Sequence, residues 1–142
     1  MKLVDANVLL YSVNKASPHH DASRTWLDEA LNGSDAVGFV WLVLLTFVRI
    51  STSRRIFAHP LDTDVALDLV QLWTSHPNTT TLHPGPNHLT LLRQLLDEAG
   101  TSGNLVSDAH LAAIALERKA TVITFDADFG RFADVKWFTP GR

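Results

Sequence analysis

At 142 residues, 46% hydrophobic and 19% charged, the chain has the length and composition of one ordinary globular domain with a real core. A net charge of −3 and a pI near 6.1 exclude a strongly basic nucleic-acid binder, though not a local basic strip, and the absence of cysteine excludes disulfides, thiolate metal sites and a cysteine nucleophile. The N-terminus meets Asp5 straight after Leu3 and Val4, unlike a signal peptide, and the most apolar window, Val37 to Val48, is too short for a membrane span, so a cytoplasmic protein with no membrane partner is expected.

Lys2 to Asp5 reads as a short strand ending in an acid, and Val8 to Tyr11 as the first turns of a helix. Ser17-Pro18 is a helix start, with a capping hydroxyl and a proline at the first helical position. Ala22, Trp26, Leu27, Ala30 and Leu31 follow at helical spacing until Asn32-Gly33. Val37 to Val40 predicts a second strand, and Trp41 to Ser51 a core or interface helix with little polar surface.

Asp62 or Thr63 can cap the next helix, whose stripe of Leu69, Leu72 and Trp73 ends at His76-Pro77. Thr79 to Leu82 is a short strand before the rigid turn Pro84-Gly85-Pro86. Asn87 begins a helix with Leu92, Leu95 and Leu96 inward, and Gly100 stops it. Ser107 is placed to cap the helix carrying Asp108, after which Thr121 to Phe125 reads as a buried strand and Val135 to Phe138 as an edge strand. Strands alternating with helices predict a single three-layer α/β domain over residues 1–142, with a mainly parallel sheet of about five strands.

Asp5 and Asp126 close strands and Asp108 opens a helix, which places all three on the rim where α/β sheets bind ligands. Taken singly, each has a structural explanation: Asp108 complements a helix dipole, and Asp5 and Asp126 serve in turns. Their coincidence points instead to a magnesium or manganese site, since gathered carboxylates repel one another until a cation joins them. Asp128 is the weakest member, divided between a supporting acid and a surface turn residue. Such an ion would polarise a phosphoryl group and activate water for phosphodiester cleavage, with a second ion stabilising the leaving oxygen. Asn7 and Thr124 flank the acids and can orient carboxylates or water, although local turn and strand hydrogen bonds account for them equally well.

The segments DANVLLY at Asp5 to Tyr11, GNLVSDAHLAAIALE at Gly103 to Glu117 and TFDADFGRF at Thr124 to Phe132 resemble PIN-domain nucleases, specifically the VapC toxins of bacterial toxin–antitoxin pairs. VGFVWLVLLTFVRIST, Val37 to Thr52, is similar to the mycobacterial branch, so the resemblance covers nearly the whole chain. It implies a PIN-like α/β/α fold, magnesium- or manganese-dependent endoribonuclease activity and growth arrest through cleavage of structured RNA, often transfer or ribosomal RNA. It also implies a cognate VapB antitoxin, a toxin homodimer, and Asp5, Asp108 and Asp126 at the metal site with Asp128 nearby. One departure stands out: Thr46 occupies the place where many PIN domains carry a glutamate, which puts a second ion in doubt.

Other readings remain open at this stage. TFDAD also fits an aspartate-based phosphatase, but too little chain follows Asp128 for the further lysine and acids such enzymes need. His19-His20-Asp21 invites a histidine metal site, against the plainer reading of a solvated helix start, and His110 is either an RNA contact or a polar helix position. Arg49, Arg54 and Arg55 either hold RNA phosphates or close a helix whose dipole suits them. A PIN-like scaffold that binds RNA or protein without cutting is the non-enzymatic alternative.

Overall fold

The computed structural model describes residues 1–142. Five strands, β1 (Lys2–Val4), β2 (Val37–Val40), β3 (Thr79–Leu82), β4 (Thr121–Ile123) and β5 (Trp137–Phe138), form one sheet in the order β3-β2-β1-β4-β5. Every pairing is parallel, with Leu3 opposite both Gly38 and Val122. Parallel strands need long crossovers, and six helices supply them: α1 (Ala6–Val13), α2 (His20–Leu31), α3 (Trp41–Ser51), α4 (Thr63–Ser75), α5 (His88–Ala99) and α6 (Val106–Arg118).

From β1 to β3 the chain moves steadily to one side of the sheet; from β3 it returns past β1 to β4. With right-handed crossovers this reversal puts α1 to α4 on one face and the α5–α6 pair on the other. The central strands are therefore covered twice, which is why they read as unbroken apolar runs. One cluster of 30 buried residues fills both layers, with Phe39, Phe47, Phe129 and Phe132 among its fully buried members. Gly38 lies where β2 is squeezed: an added Cβ would stand 2.9 Å from the Leu82 side chain and 3.2 Å from that of Leu3.

Several details differ from those expected. The Ser17 hydroxyl accepts from the His19 N–H within a turn, and α2 begins only at His20. Asp62 stands at the N-cap of α4 without a side-chain cap bond, and the buried stripe of that helix is Ala66, Val70 and Trp73, while Leu72 is 61% exposed. Ser107 does not cap α6, because the helix grows out of a 3-10 turn, Gly103–Leu105, and already includes Val106. β4 stops at Ile123, since the Phe125 N–H donates to the Asn7 side chain instead of to a strand. β5 shrinks to Trp137–Phe138 because the Val135 N–H closes a turn onto Phe132. No helix is long and apolar enough to cross a membrane.

Candidate metal centre

The reversal of strand order falls between β1 and β4, and in such sheets the crevice outside the strand ends opens there. Asp5 follows β1 and Thr124 follows β4, one step beyond the paired residues Val4 and Ile123. The Asp5 N–H donates to the Ile123 carbonyl at 2.9 Å, which extends the pairing onto the rim. Asp108 joins from the first turn of α6, and Asp126 from the N-cap of a 3-10 turn, Ala127–Arg131, whose Asp128 N–H it accepts at 2.9 Å.

Carboxylate oxygens of Asp108, Asp126 and Asp128 lie within 4.8 Å of one another, close enough to share one cation. Asp128, the least certain acid in the sequence, is thus a full member of the cluster. Burial, followed by the charges of Asp5, Asp126 and Asp128, pushes the Asp108 carboxyl up to about 7. Asp5 sits deeper, and its carboxyl is likewise raised, first by burial and then by the Asp126 charge, against three hydrogen bonds that favour its ionised form.

Those bonds show what Asn7 and Thr124 do. The Thr124 hydroxyl is fully buried and donates to Asp5 Oδ2 at 2.7 Å while accepting from Asn7 Nδ2 at 3.1 Å and from the Asp126 N–H at 3.0 Å. Asn7 Nδ2 also donates to Asp5 Oδ2 at 3.3 Å, and its Oδ1 accepts from the Phe125 N–H at 3.0 Å. The Ala6 N–H donates to Asp5 Oδ1 at 2.7 Å. Both oxygens of Asp5 are therefore held by hydrogen bonds, which fixes the carboxylate beside Asp108, whose carboxyl its charge helps to raise. One side-chain hydroxyl locks the two halves of the rim together.

The structure adds a residue that the sequence reading passed over. Arg131 Nε lies 3.4 Å from Asp128 Oδ1, half exposed beside the acids. Spacing of three in a 3-10 turn brings side chains into line, so D-x-x-R within DADFGR was the available signal. Arg49, Arg54 and Arg55 are exposed at the end of α3 and in the turn after it, and none pairs with an acid. The Thr46 hydroxyl donates to the Leu42 carbonyl at 2.7 Å within α3. His110 turns toward α5: its Nδ1 lies 2.9 Å from Nε2 of His88, and burial together with His88 lowers its pKa.

Comparison with known proteins agrees with this geometry. The PIN domain family matches residues 2–135. Ribonuclease VapC37 of Mycobacterium tuberculosis is 48% identical over 140 residues, covering 99% of this chain and 97% of the relative. Ribonuclease VapC31 of the same species is 43% identical, with 99% of each chain covered. Among solved structures, VapBC2 from Rickettsia felis, bound to a DNA fragment from its promoter, aligns with a TM-score of 0.69 at 18% identity over 98% of both chains. The sarcin-ricin loop cleaving toxin VapC20 of Mycobacterium tuberculosis aligns with a TM-score of 0.64 at 16% identity, over 96% of this chain and 99% of that one. By matched length, by identity and by the fold that presents its acids, this chain belongs to the PIN-domain family, in its VapC ribonuclease branch.

Proposed function

We propose that the chain is the toxin of a VapBC-type pair: a metal-dependent endoribonuclease that cuts structured RNA, such as transfer or ribosomal RNA, and is restrained by a cognate VapB antitoxin. The observation that carries this reading is the gathering of carboxylate oxygens of Asp108, Asp126 and Asp128 within 4.8 Å of one another, beside Asp5, where burial and then the neighbouring charges push the Asp108 carboxyl up to about 7. A bound cation would relieve this crowding and return Asp108 to its ionised form. All the donors are carboxylate oxygens, with no imidazole or thiolate among them, which suits Mg2+ or Mn2+ rather than zinc. Asp108, Asp126 and Asp128 would hold the ion, with Asp5 alongside.

A bound ion would supply charge to polarise the scissile phosphate and make water in the cleft more acidic. The chain's own residues do the rest. Thr124 and Asn7 hold Asp5 in one orientation, so that its charge faces the crevice without searching rotamers. The Asp128 N–H fixes Asp126 in the same way. Arg131 can exchange Asp128 for a phosphate oxygen, since a guanidinium pairs with either anion. Arg131→Ala is expected to weaken RNA binding about tenfold and to lower the salt slope of log K by about one. An unchanged slope in filter binding across a salt series would remove Arg131 from the phosphate contacts.

The deciding experiment treats total cellular RNA with the purified chain in Mg2+, Mn2+ or EDTA, beside Asp5→Asn. Discrete cuts that need metal and vanish in the variant are expected. If folded, antitoxin-free protein makes no cut in any metal, the non-cleaving scaffold takes precedence, with Thr46 in the glutamate position as its reason. The same reading includes a homodimer, for which Trp41, Leu42 and Leu45 on α3 offer exposed apolar surface.

A further inference from the structure

Three aromatic rings meet beside the acids without helping to hold them. Tyr11 stands on α1 one turn beyond Asn7, His19 immediately precedes α2, and Phe125 lies between Thr124 and Asp126 in the chain. Ring centroids are 5.2 Å apart for Tyr11 and Phe125, 4.6 Å for His19 and Phe125, and 5.1 Å for Tyr11 and His19. His19 is tilted by only 34° from the plane of Phe125, whereas Tyr11 meets Phe125 edge-on at 77°. Segments distant in sequence thus converge on one triangle of rings.

Packing alone does not account for the triangle. His19 is exposed and Tyr11 and Phe125 are half-buried, so ring surface faces water, and Asn7, which bonds both Asp5 and the Phe125 N–H, links the triangle to the site. The backbone that carries each ring is anchored by a hydrogen bond. The Phe125 N–H is held by Asn7 Oδ1 at 3.0 Å, His20 Nδ1 lies 2.9 Å from the Tyr11 carbonyl oxygen, and the His19 N–H donates to Ser17 Oγ at 3.1 Å. Adjacent Cα atoms are about 3.8 Å apart, so Phe125 lies one residue from both Thr124, which orients Asp5, and Asp126.

We infer that Tyr11, His19 and Phe125 form a stacking platform for one unpaired base of the RNA beside the scissile phosphate. This rests on the ribonuclease reading above and names how that site positions its substrate. Single-stranded RNA is gripped by splaying bases onto aromatic and histidine faces, and every base has such a face to offer. A rim crowded with carboxylates repels the phosphate backbone, and Arg131 already faces an acid, so an uncharged contribution to binding has particular value here. The rings are positioning residues: they place the backbone, and the acids act on it. Stacking releases no counterions, so its contribution, unlike that of Arg131, does not change the salt slope.

The test uses the full chain in the Asp108→Asn background, so that cleavage does not consume the probe. That probe is a single-stranded oligoadenylate carrying one 2-aminopurine, moved stepwise along the strand, in Mg2+ at two salt concentrations. The parent protein is expected to quench 2-aminopurine at one position. His19→Ala should remove the quench and weaken binding roughly fivefold to a hundredfold at both salt concentrations, with the salt slope unchanged, and His19→Trp should restore both. The side chain of His19 makes no capping bond to α2, so the alanine variant keeps the fold. Parental affinity and quench in His19→Ala would overturn the platform. Binding of the probe with no quench at any position would also overturn the platform, whereas failure of the unsubstituted chain to cut cellular RNA in any metal would overturn the ribonuclease reading itself, and this inference with it.

Discussion

Asp108→Asn is expected to abolish RNA cleavage, by roughly a thousandfold or more, and at the same time to make the protein more stable. The two effects share one cause. In the folded chain the Asp108 carboxyl titrates near 7, against an ordinary value of 3.8, because it is half buried and faces three other acids. Between about pH 4 and pH 7 the folded state keeps a proton that the unfolded chain has released, so stability falls as pH rises through that window. Above pH 7 the cost is complete, and asparagine removes it. Because the carboxyl is partly solvated, screening leaves a gain of about 1–2 kcal/mol, or roughly 3–8 °C in melting temperature. Thermal melts in EDTA at pH 8 should show the gain, and melts near pH 4 should show none. Added Mn2+ should raise the wild-type melting temperature at pH 8 while barely moving the variant. Equal stability of the two proteins at pH 8 without metal would mean that the acids do not repel, and the case for a cation centre would fall with it.

Thr124→Val should cost nearly as much by the opposite route. Valine keeps the β-branched shape and suits the end of a strand, so the substitution isolates the hydroxyl. That hydroxyl makes three hydrogen bonds, one of them to a buried carboxylate. Deprived of it, Asp5 would rise further in pKa and pass toward its neutral form, while Asn7 and the Asp126 N–H lose an acceptor. A loss of about 2–3 kcal/mol in stability and of roughly a hundredfold in cleavage is expected, with Thr124→Ser close to wild type. In a double-mutant cycle with Asp5→Asn the stability losses should fall short of additive by about 1 kcal/mol. Strict additivity would show that the hydroxyl acts on something other than Asp5.

Why some of this could be read from the sequence and some could not follows from the physics of each part. Strands alternating with helices leave their periodicities in the chain, and parallel pairing brings the residues after successive strands to one edge, so Asp5, Asp126 and the helix-start Asp108 were legible as neighbours. The relation of Asn7 to Thr124 was visible only as proximity. Their shared grip on Asp5 depends on side-chain directions that no periodicity encodes. The approach of Asp128 to the other acids, and of Arg131 to Asp128, is not legible because both depend on a 3-10 turn, set by the Asp126 cap, inside a stretch that reads as loop. The triangle of Tyr11, His19 and Phe125 left no pattern at all, since its corners come from a helix, a turn and a strand exit. Leu72 shows the reverse failure: an apolar residue at helical spacing that the fold leaves in water.

The pairing of β1 with β4 also governs when the cleft takes shape during synthesis. Asn7 and Thr124 are 117 residues apart, and the hydroxyl that orients Asp5 arrives with the last part of the chain to be synthesised. Translation proceeds at about 5–20 residues per second, so a growing chain spends several seconds on the ribosome with Asp5 lacking its Thr124 partner. Closing so long a loop is slow, and the cleft assembles only once β4 slots in beside β1. A chain broken off before residue 121 therefore lacks β4, Thr124 and Asp126, and with them the part of the rim that they complete.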